Sequence, residues 1–358
     1  MMQTYVRFIT QTYLKAFAYI FLIMFGLVFI LNILGELDFF SKINVSAFFP
    51  AYLSLINTPS LIFEMLPFIF LLSTQLFFIN IFKDNQINIF KHSGIRNTKI
   101  ILLLSGITFV MSLLLVTFFY HASSNLKSLY LELKSNYTTD GKYLAVITKN
   151  GLWIKDKIGT QSLIIKASKI EDHYLNEVFI SIFDKKYNIV QNIKSDRIDI
   201  SSKEWKIYDA KIFIDNNKRN VDYITLKTSF DYELIQSLFS NLSSLSINRL
   251  FELRNNYDLL NYSTTEINVQ IQKLFSYPVY LIFMTILSAT IMLYIRNNTT
   301  NRIMLSFGLL ISVLIYYINN FFYVLGNTEK ISVALSVWVP IIIFGIFNSI
   351  LIYRINEK

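Results

Sequence analysis

Few side chains in this sequence have the type and spacing that chemistry needs. His92, His121 and His173 are the three histidines and lie far apart. No H-E-x-x-H pair sets two of them on one helix face, so a metal centre of that kind is not expected. The ten glycines are scattered, and no G-x-x-x-x-G-K-[ST] run offers a cradle for nucleotide phosphates. No G-x-S-x-G elbow is present either. Two features remain. Glu64 is an acid inside the apolar stretch PSLIFEMLP (59–67), and residues 83–99, KDNQINIFKHSGIRNTK, form a polar, basic piece between two greasy ones.

Those greasy pieces set the class. The 358 residues are 53% hydrophobic and 16% charged, with a mean hydropathy of +0.44. Soluble domains carry less apolar and more charged residue. Six apolar runs stand out, at about 13–34, 59–82, 100–121, 274–295, 303–325 and 333–353. A helix of about 22 residues covers roughly 33 Å, enough for a hydrocarbon core near 30 Å. Backbone groups in lipid must bond within their own segment, so helices are expected. The first run is too long for a secretory h-region and no A-x-A-like site follows, so it is expected to stay as an anchor.

Charge orients the helices. With the N-terminus inside, the cytoplasmic segments carry Arg7, Lys15, Lys83, Lys91, Arg96, Lys99, Arg296, Arg302, Arg354 and Lys358. The short outer loops carry Lys42 and Lys330. This asymmetry follows the positive-inside rule. It also accounts for most of the net +9. Nucleic-acid binding is not indicated, because that would concentrate basic charge on a folded domain. There is no cysteine, so the large external segment must hold together without disulfides.

The plan is three helices, an insert, and three helices. Residues 1–121 hold spans one to three with the cytoplasmic segment at 83–99. Residues 122–265 form the external domain with a connecting helix, and 266–358 hold spans four to six. The insert reads as short antiparallel strands: KYLAVITK (142–149), GLWIKD (151–156), SLIIKA (162–167), EVFISIFD (177–184), NIVQNIK (188–194), RIDIS (197–201), EWKIYDAKIFID (204–215) and VDYITLKT (221–228). They are β-branched or aromatic, separated by turn residues, and suggest a sandwich or jelly roll. Leu250, Leu253, Tyr257 and Leu260 are spaced as a helix, with Ser246 as its N-cap.

Within 83–99, Asp84 and Asn85 suit a helix start, Lys91 and His92 suit a last turn, and Gly94 suits the residue just past it. Residues 86–93 therefore read as a helix of about two turns with Ile87 and Phe90 on one side and Ile89 nearby. Two roles fit: an interfacial helix resting on headgroups, or a peg whose apolar anchors enter a partner's groove. Glu64 reads as an acid close enough to the outer end of its helix to reach the interface. Asn32, Gln75, Asn319 and Asn320 read as partners in helix–helix hydrogen bonds, and Pro67 as a kink.

The order of several pieces resembles the LptF/LptG permeases of the bacterial lipopolysaccharide exporter. HSGIRNTK (92–99) is similar to that family's coupling segment, and FEMLPFIFLLSTQLFF (63–78) to its second span. NGLWIKD (150–156) resembles the element opening its external domain and is closer to the LptG branch. LSSLSINRLFEL (242–253) and LGNTEKISVALSVWVP (325–340) also match. The resemblance implies a multi-pass protein of the bacterial inner membrane with both termini cytoplasmic and a periplasmic β-jellyroll domain. It implies a permease that extracts lipopolysaccharide and passes it to periplasmic bridge proteins. Its partners would be a homologous, LptF-like permease subunit and a dimer of a cytoplasmic ABC ATPase, which binds the ATP and Mg; this chain would hold no cofactor. Gln86, Ile87, Phe90, Lys91, Gly94 and Arg96 would then face the ATPase. Gln86 stands where the family has an acid, so an ion pair there would become a neutral hydrogen bond. GELDFFSKIN (35–44) keeps only Lys42 of several basic residues that meet lipid phosphate; Lys42 reads equally as a solvated loop lysine. The rival reading is a membrane receptor, with an external β domain signalling through a docked cytoplasmic partner.

Overall fold

The structure, a computed structural model, describes residues 2–41, 43, 45–46, 48–83, 86–135, 137, 152–158, 161–171, 173–184, 188–214, 217–228, 230–232, 235, 241–259, 263–295 and 301–356. The chain divides into two compact units, Met1–Tyr130 with Thr265–Lys358, and Leu131–Thr264.

The first unit is helical. Its elements are α1 (Met2–Phe40), α2 (Phe49–Lys83), α3 (Gln86–His92), α4 (Asn97–Leu114) and the start of α5 (Tyr120–Ser135), with a π-helical turn at Leu115–Phe119 joining the last two. After the insert come α7 (Thr265–Ile295), α8 (Asn301–Asn327) and α9 (Val333–Asn356). Among the described residues six helices, counting α4 through α5 as one, are long and apolar enough to cross a membrane, as the sequence predicts. Their backbones satisfy themselves, as lipid requires. Prolines lie inside α2 (Pro59, Pro67), α7 (Pro278) and α9 (Pro340).

Helices α2 and α7 are the most buried, while α1 and α8 expose most of their side chains. Small hydroxyl residues tie the buried helices together. The Tyr13 hydroxyl of α1 lies 3.0 Å from Thr108 Oγ1 of α4, which lies 3.1 Å from Thr285 Oγ1 of α7. Ser288 donates to the Leu71 carbonyl at 2.8 Å. Water is excluded here, so these bonds give apolar helices a specific register that packing alone does not supply. Asn32 bridges α1 to α2 through the Ser54 carbonyl and Asn57, the helix–helix role expected of it.

The second unit is an antiparallel sheet followed by α6 (Ile247–Leu259). Its strands are β1 (Leu152–Ile158), β2 (Gln161–Ala167), β3 (Lys169–Glu171), β4 (Tyr174–Phe183), β5 (Ile189–Asp199), β6 (Glu204–Ile214) and β7 (Asn217–Lys227). The order is β1-β2-β4-β5-β6-β7, with β3 on β4. Successive hairpins therefore make a meander, a connectivity that strand patterns do not specify. NIVQNIK and RIDIS, read as two strands, are one continuous β5, while the expected strand at 142–149 lies outside the described residues. α6 begins right after Ser246 and buries Leu250 and Leu253 as expected; Leu260 lies outside the described residues.

One face of the sheet is the core. Leu152, Ile165, Ile180, Ile193, Ile207 and Ala210, one from each strand of the path from β1 to β5 and two from β6, belong to a single buried cluster that Phe230 and Ile235 join. The alternation slips once per strand. Inward residues run Leu175 then Val178 on β4, Ile198 then Ser195 on β5, and Ile207 then Ala210 on β6. Glu177 and Asp209 carry positive φ at the slip (51° and 48°). The pairing register is the same on either side of both positions, so β4, β5 and β6 change their inward residue together. Trp205, near the start of β6, is fully buried, and its indole N–H donates to the Phe230 carbonyl at 2.8 Å.

Candidate functional site

The polar segment between α2 and α4 folds as the seven-residue helix α3. Its end follows from Gly94, whose φ of +77° only glycine adopts without strain. Gly94 N–H donates to the Lys91 carbonyl at 3.0 Å, and Ile95 N–H to the Phe90 carbonyl at 2.9 Å. This pair of bonds is the Schellman arrangement that closes a helix and turns the chain. The turn sends the backbone directly into α4, with Arg96 as its N-cap residue.

The faces of α3 divide cleanly. Ile87 is fully buried. Phe90 is half-buried, and its ring meets Phe8 of α1 edge-on at 6.1 Å. The side turned outward carries Ile89, 61% exposed, with exposed Lys91 and His92. Gln86 is half-buried; Arg96 and Gly94 are exposed. The residues singled out from sequence thus fall into two groups. Ile87 and Phe90 fasten α3 to its own bundle, while Ile89, Lys91, His92, Gly94 and Arg96 form a free, basic surface with one apolar tip. Ile89 was the member of the apolar set given least weight, because a two-turn helix does not reveal from its spacing which side its neighbours occupy. Asp84, Asn85 and Lys42 lie outside the described residues.

A second polar group sits within the spans. Glu64 is exposed on α2, otherwise largely buried. α7 begins at Thr265, earlier than the apolar run at 274–295 suggests, so the candidate span includes Lys273. Lys273 Nζ lies 5.1 Å from the centre of the Tyr323 ring of α8, a cation–π contact. Phe63 is flanked by the rings of Tyr277 (4.8 Å) and Tyr120 (5.0 Å). The signal that could have located Lys273 is in TEINVQIQKLFSYP, whose Ile267, Ile271 and Leu274 keep one apolar face three or four residues apart.

Among the described residues no group of three or more His, Asp or Glu is placed to hold a metal ion. The architecture is six spanning helices, a β unit inserted between the third and fourth, and a capped basic helix between the second and third. That combination defines a multi-pass membrane protein with an inserted β unit. The chain belongs to the LptF/LptG family: the family model described as lipopolysaccharide export system permease LptF/LptG matches residues 7–354. It is a permease subunit of an ABC exporter, and such permeases carry no ATPase site of their own. No individual curated protein matches it in sequence.

Proposed function

We propose that this chain works as the LptG-like half of a paired permease in the bacterial inner membrane, with α3 as the element through which a cytoplasmic ATPase dimer drives it. The family match across residues 7–354 carries the reading. The distribution of the lysines and arginines named above supports a cytoplasmic location for both termini and α3 and a periplasmic one for the β unit. The ATPase supplies ATP and Mg. This chain supplies a surface, and the exposed side of α3 has the required chemistry: an apolar tip at Ile89 for a groove, ringed by Lys91, His92 and Arg96. Gln86 contributes a neutral hydrogen bond where the family uses an acid.

The exposed faces of α1 and α8 are the surfaces on which an LptF-like subunit and the entering lipid meet this chain. Leu31 and Leu34 on α1 and Leu310 and Tyr317 on α8 are unshielded within the chain. Lipopolysaccharide passes between the two subunits and then along the apolar inner face of the β unit to periplasmic bridge proteins. Lys42 of this chain remains a candidate partner for lipid phosphate.

The reading is tested by co-purification. The tagged chain should bring down an LptF-like subunit and an ATPase whose turnover rises with added lipopolysaccharide. Recovery without any ATPase would point instead to a receptor.

A further inference from the structure

Pro67 lies in the middle of α2, in a stretch that is largely buried. Proline has no N–H, and its ring crowds the carbonyl four residues earlier, so the helix loses a backbone bond and is free to bend there. The carbonyl set free is that of Phe63. A buried helix in lipid keeps such a group only where a neighbour supplies a donor. Here the donor comes from another helix: the Tyr277 hydroxyl of α7 donates to the Phe63 carbonyl. Phe63 and Tyr277 are both buried, and their rings stack at 4.8 Å with 21° between the planes. The ring of Tyr120 meets Phe63 as well, at 5.0 Å. The hydroxyl is therefore held in place by its own packed ring.

Three other prolines lie inside the helices: Pro59 of α2, Pro278 of α7 and Pro340 of α9. They free the carbonyls of Leu55, Leu274 and Ser336 in the same way. Among the described residues no side chain of another helix donates to any of these three. The pinned carbonyl at Pro67 is thus particular to that place. Toward its N-terminus from Pro67, α2 is tied to α1 through Asn32, Ser54 and Asn57. Toward its C-terminus, α2 runs on to Lys83 and leads into α3. That half is about 24 Å long, so a change of about 10° in the bend would move its far end by about 4 Å.

We infer that Tyr277 is a positioning residue for transport: its hydroxyl fixes the bend of α2 at Pro67, and through that bend the place α3 takes when the ATPase drives it. The inference rests on the reading of α3 as the coupling element. Tyr277 touches neither lipid nor ATPase in this role. It acts through the Phe63 carbonyl.

The test separates the hydroxyl from the ring. Tyr277→Phe keeps the stacked ring and removes the bond. Pro67→Ala restores an N–H that can pair with the Phe63 carbonyl within α2, so the hydroxyl is no longer needed. The sequence has no cysteine. Leu55→Cys and Ile89→Cys, both at exposed positions, therefore take one pair of spin labels on either side of Pro67. In the full-length chain in detergent, Tyr277→Phe should broaden the distribution of distances between the labels. Pro67→Ala should lengthen and narrow it, and the double variant should match Pro67→Ala alone. In the assembled exporter in vesicles, Tyr277→Phe should lower the lipid exported per ATP hydrolysed several-fold, and should cost nothing further beside Pro67→Ala. Should Tyr277→Phe not fold by itself, folding is expected to return in the double variant. An unchanged distribution in Tyr277→Phe, or a double variant as broad as Tyr277→Phe alone, would overturn the inference. So would a broadened distribution with normal export per ATP. The distances need neither ATPase nor lipid, so their failure leaves the export reading standing. A wild-type complex that hydrolyses ATP without exporting lipid would overturn that reading, and the role in transport with it.

Discussion

The Tyr130 hydroxyl donates a 2.8 Å hydrogen bond to Glu36 Oε1, joining the far end of α1 to α5, with both side chains buried. Elsewhere α1 is the most exposed of the long helices, so a bond between two buried side chains fixes this end more firmly than the rest. Tyr130→Phe removes the donor and leaves a carboxylate in a buried place. The cost is about 1–3 kcal/mol, the loss of a hydrogen bond to a buried carboxylate. Glu36→Gln keeps an acceptor for the tyrosine and should cost less. Melting of the purified chain in detergent checks both; an unchanged midpoint for Tyr130→Phe would show that the contact contributes nothing.

Gly94 and Phe90 hold α3 in different ways, and their variants should differ accordingly. Gly94→Val forces a β-branched residue to φ +77°, at about 1–2 kcal/mol or more, and so unwinds the Schellman turn. Phe90→Ala removes the edge contact with Phe8. Both should lower export at unchanged protein level while ATP hydrolysis by the assembled complex continues. Phe8→Ala should resemble Phe90→Ala, and the double variant should be no worse than either single one, since a shared contact is lost once. Additive losses would mean that the two rings act separately.

The sheet distinguishes two neighbouring isoleucines. Ile212 is buried on the inner face, and Ile214 is about half exposed. Ile212→Asp places a charge in the apolar lining and should abolish lipid passage. Ile214→Asp should be tolerated. Photocrosslinking of glycolipid to the β unit, with limited proteolysis to check its fold, separates blocked passage from unfolding. Equal tolerance of both would exclude the inner face as the path.

Trp205→Phe deletes the indole N–H that meets the Phe230 carbonyl and opens space in the buried cluster of the sheet. A cost of about 1–3 kcal/mol is expected from the unpaired carbonyl and the lost volume. Amide exchange across β5, β6 and β7 should speed up together, while exchange in the helical unit stays as it is.

Much of this organisation is legible in the sequence because lipid and sheet impose short periods. Twenty apolar residues in a row have one solution in a bilayer, and alternation such as KIFID marks a face. Gly94 could be placed past a helix end because a two-turn helix rich in terminal cations needs a residue with positive φ there. Other features escaped for identifiable reasons. The slips at Glu177 and Asp209 break the two-residue period, so the inward set could not be followed along a whole strand. The fourth apolar run starts at 274 because a charge ends it on paper, whereas the helix extends back through Lys273 to Thr265. Which side of α3 faces away from the bundle depends on Phe8, about eighty residues earlier in the chain, and no local pattern carries that.

The central claim is that α3 is where the cytoplasmic motor grips the permease. A photoreactive amino acid at Ile89, the exposed apolar tip, tests it most directly in intact cells. The account predicts a crosslink to a cytoplasmic ABC ATPase that is lost when Gly94→Val disrupts the helix end. A crosslink to lipid alone would contradict it and make α3 an interfacial helix.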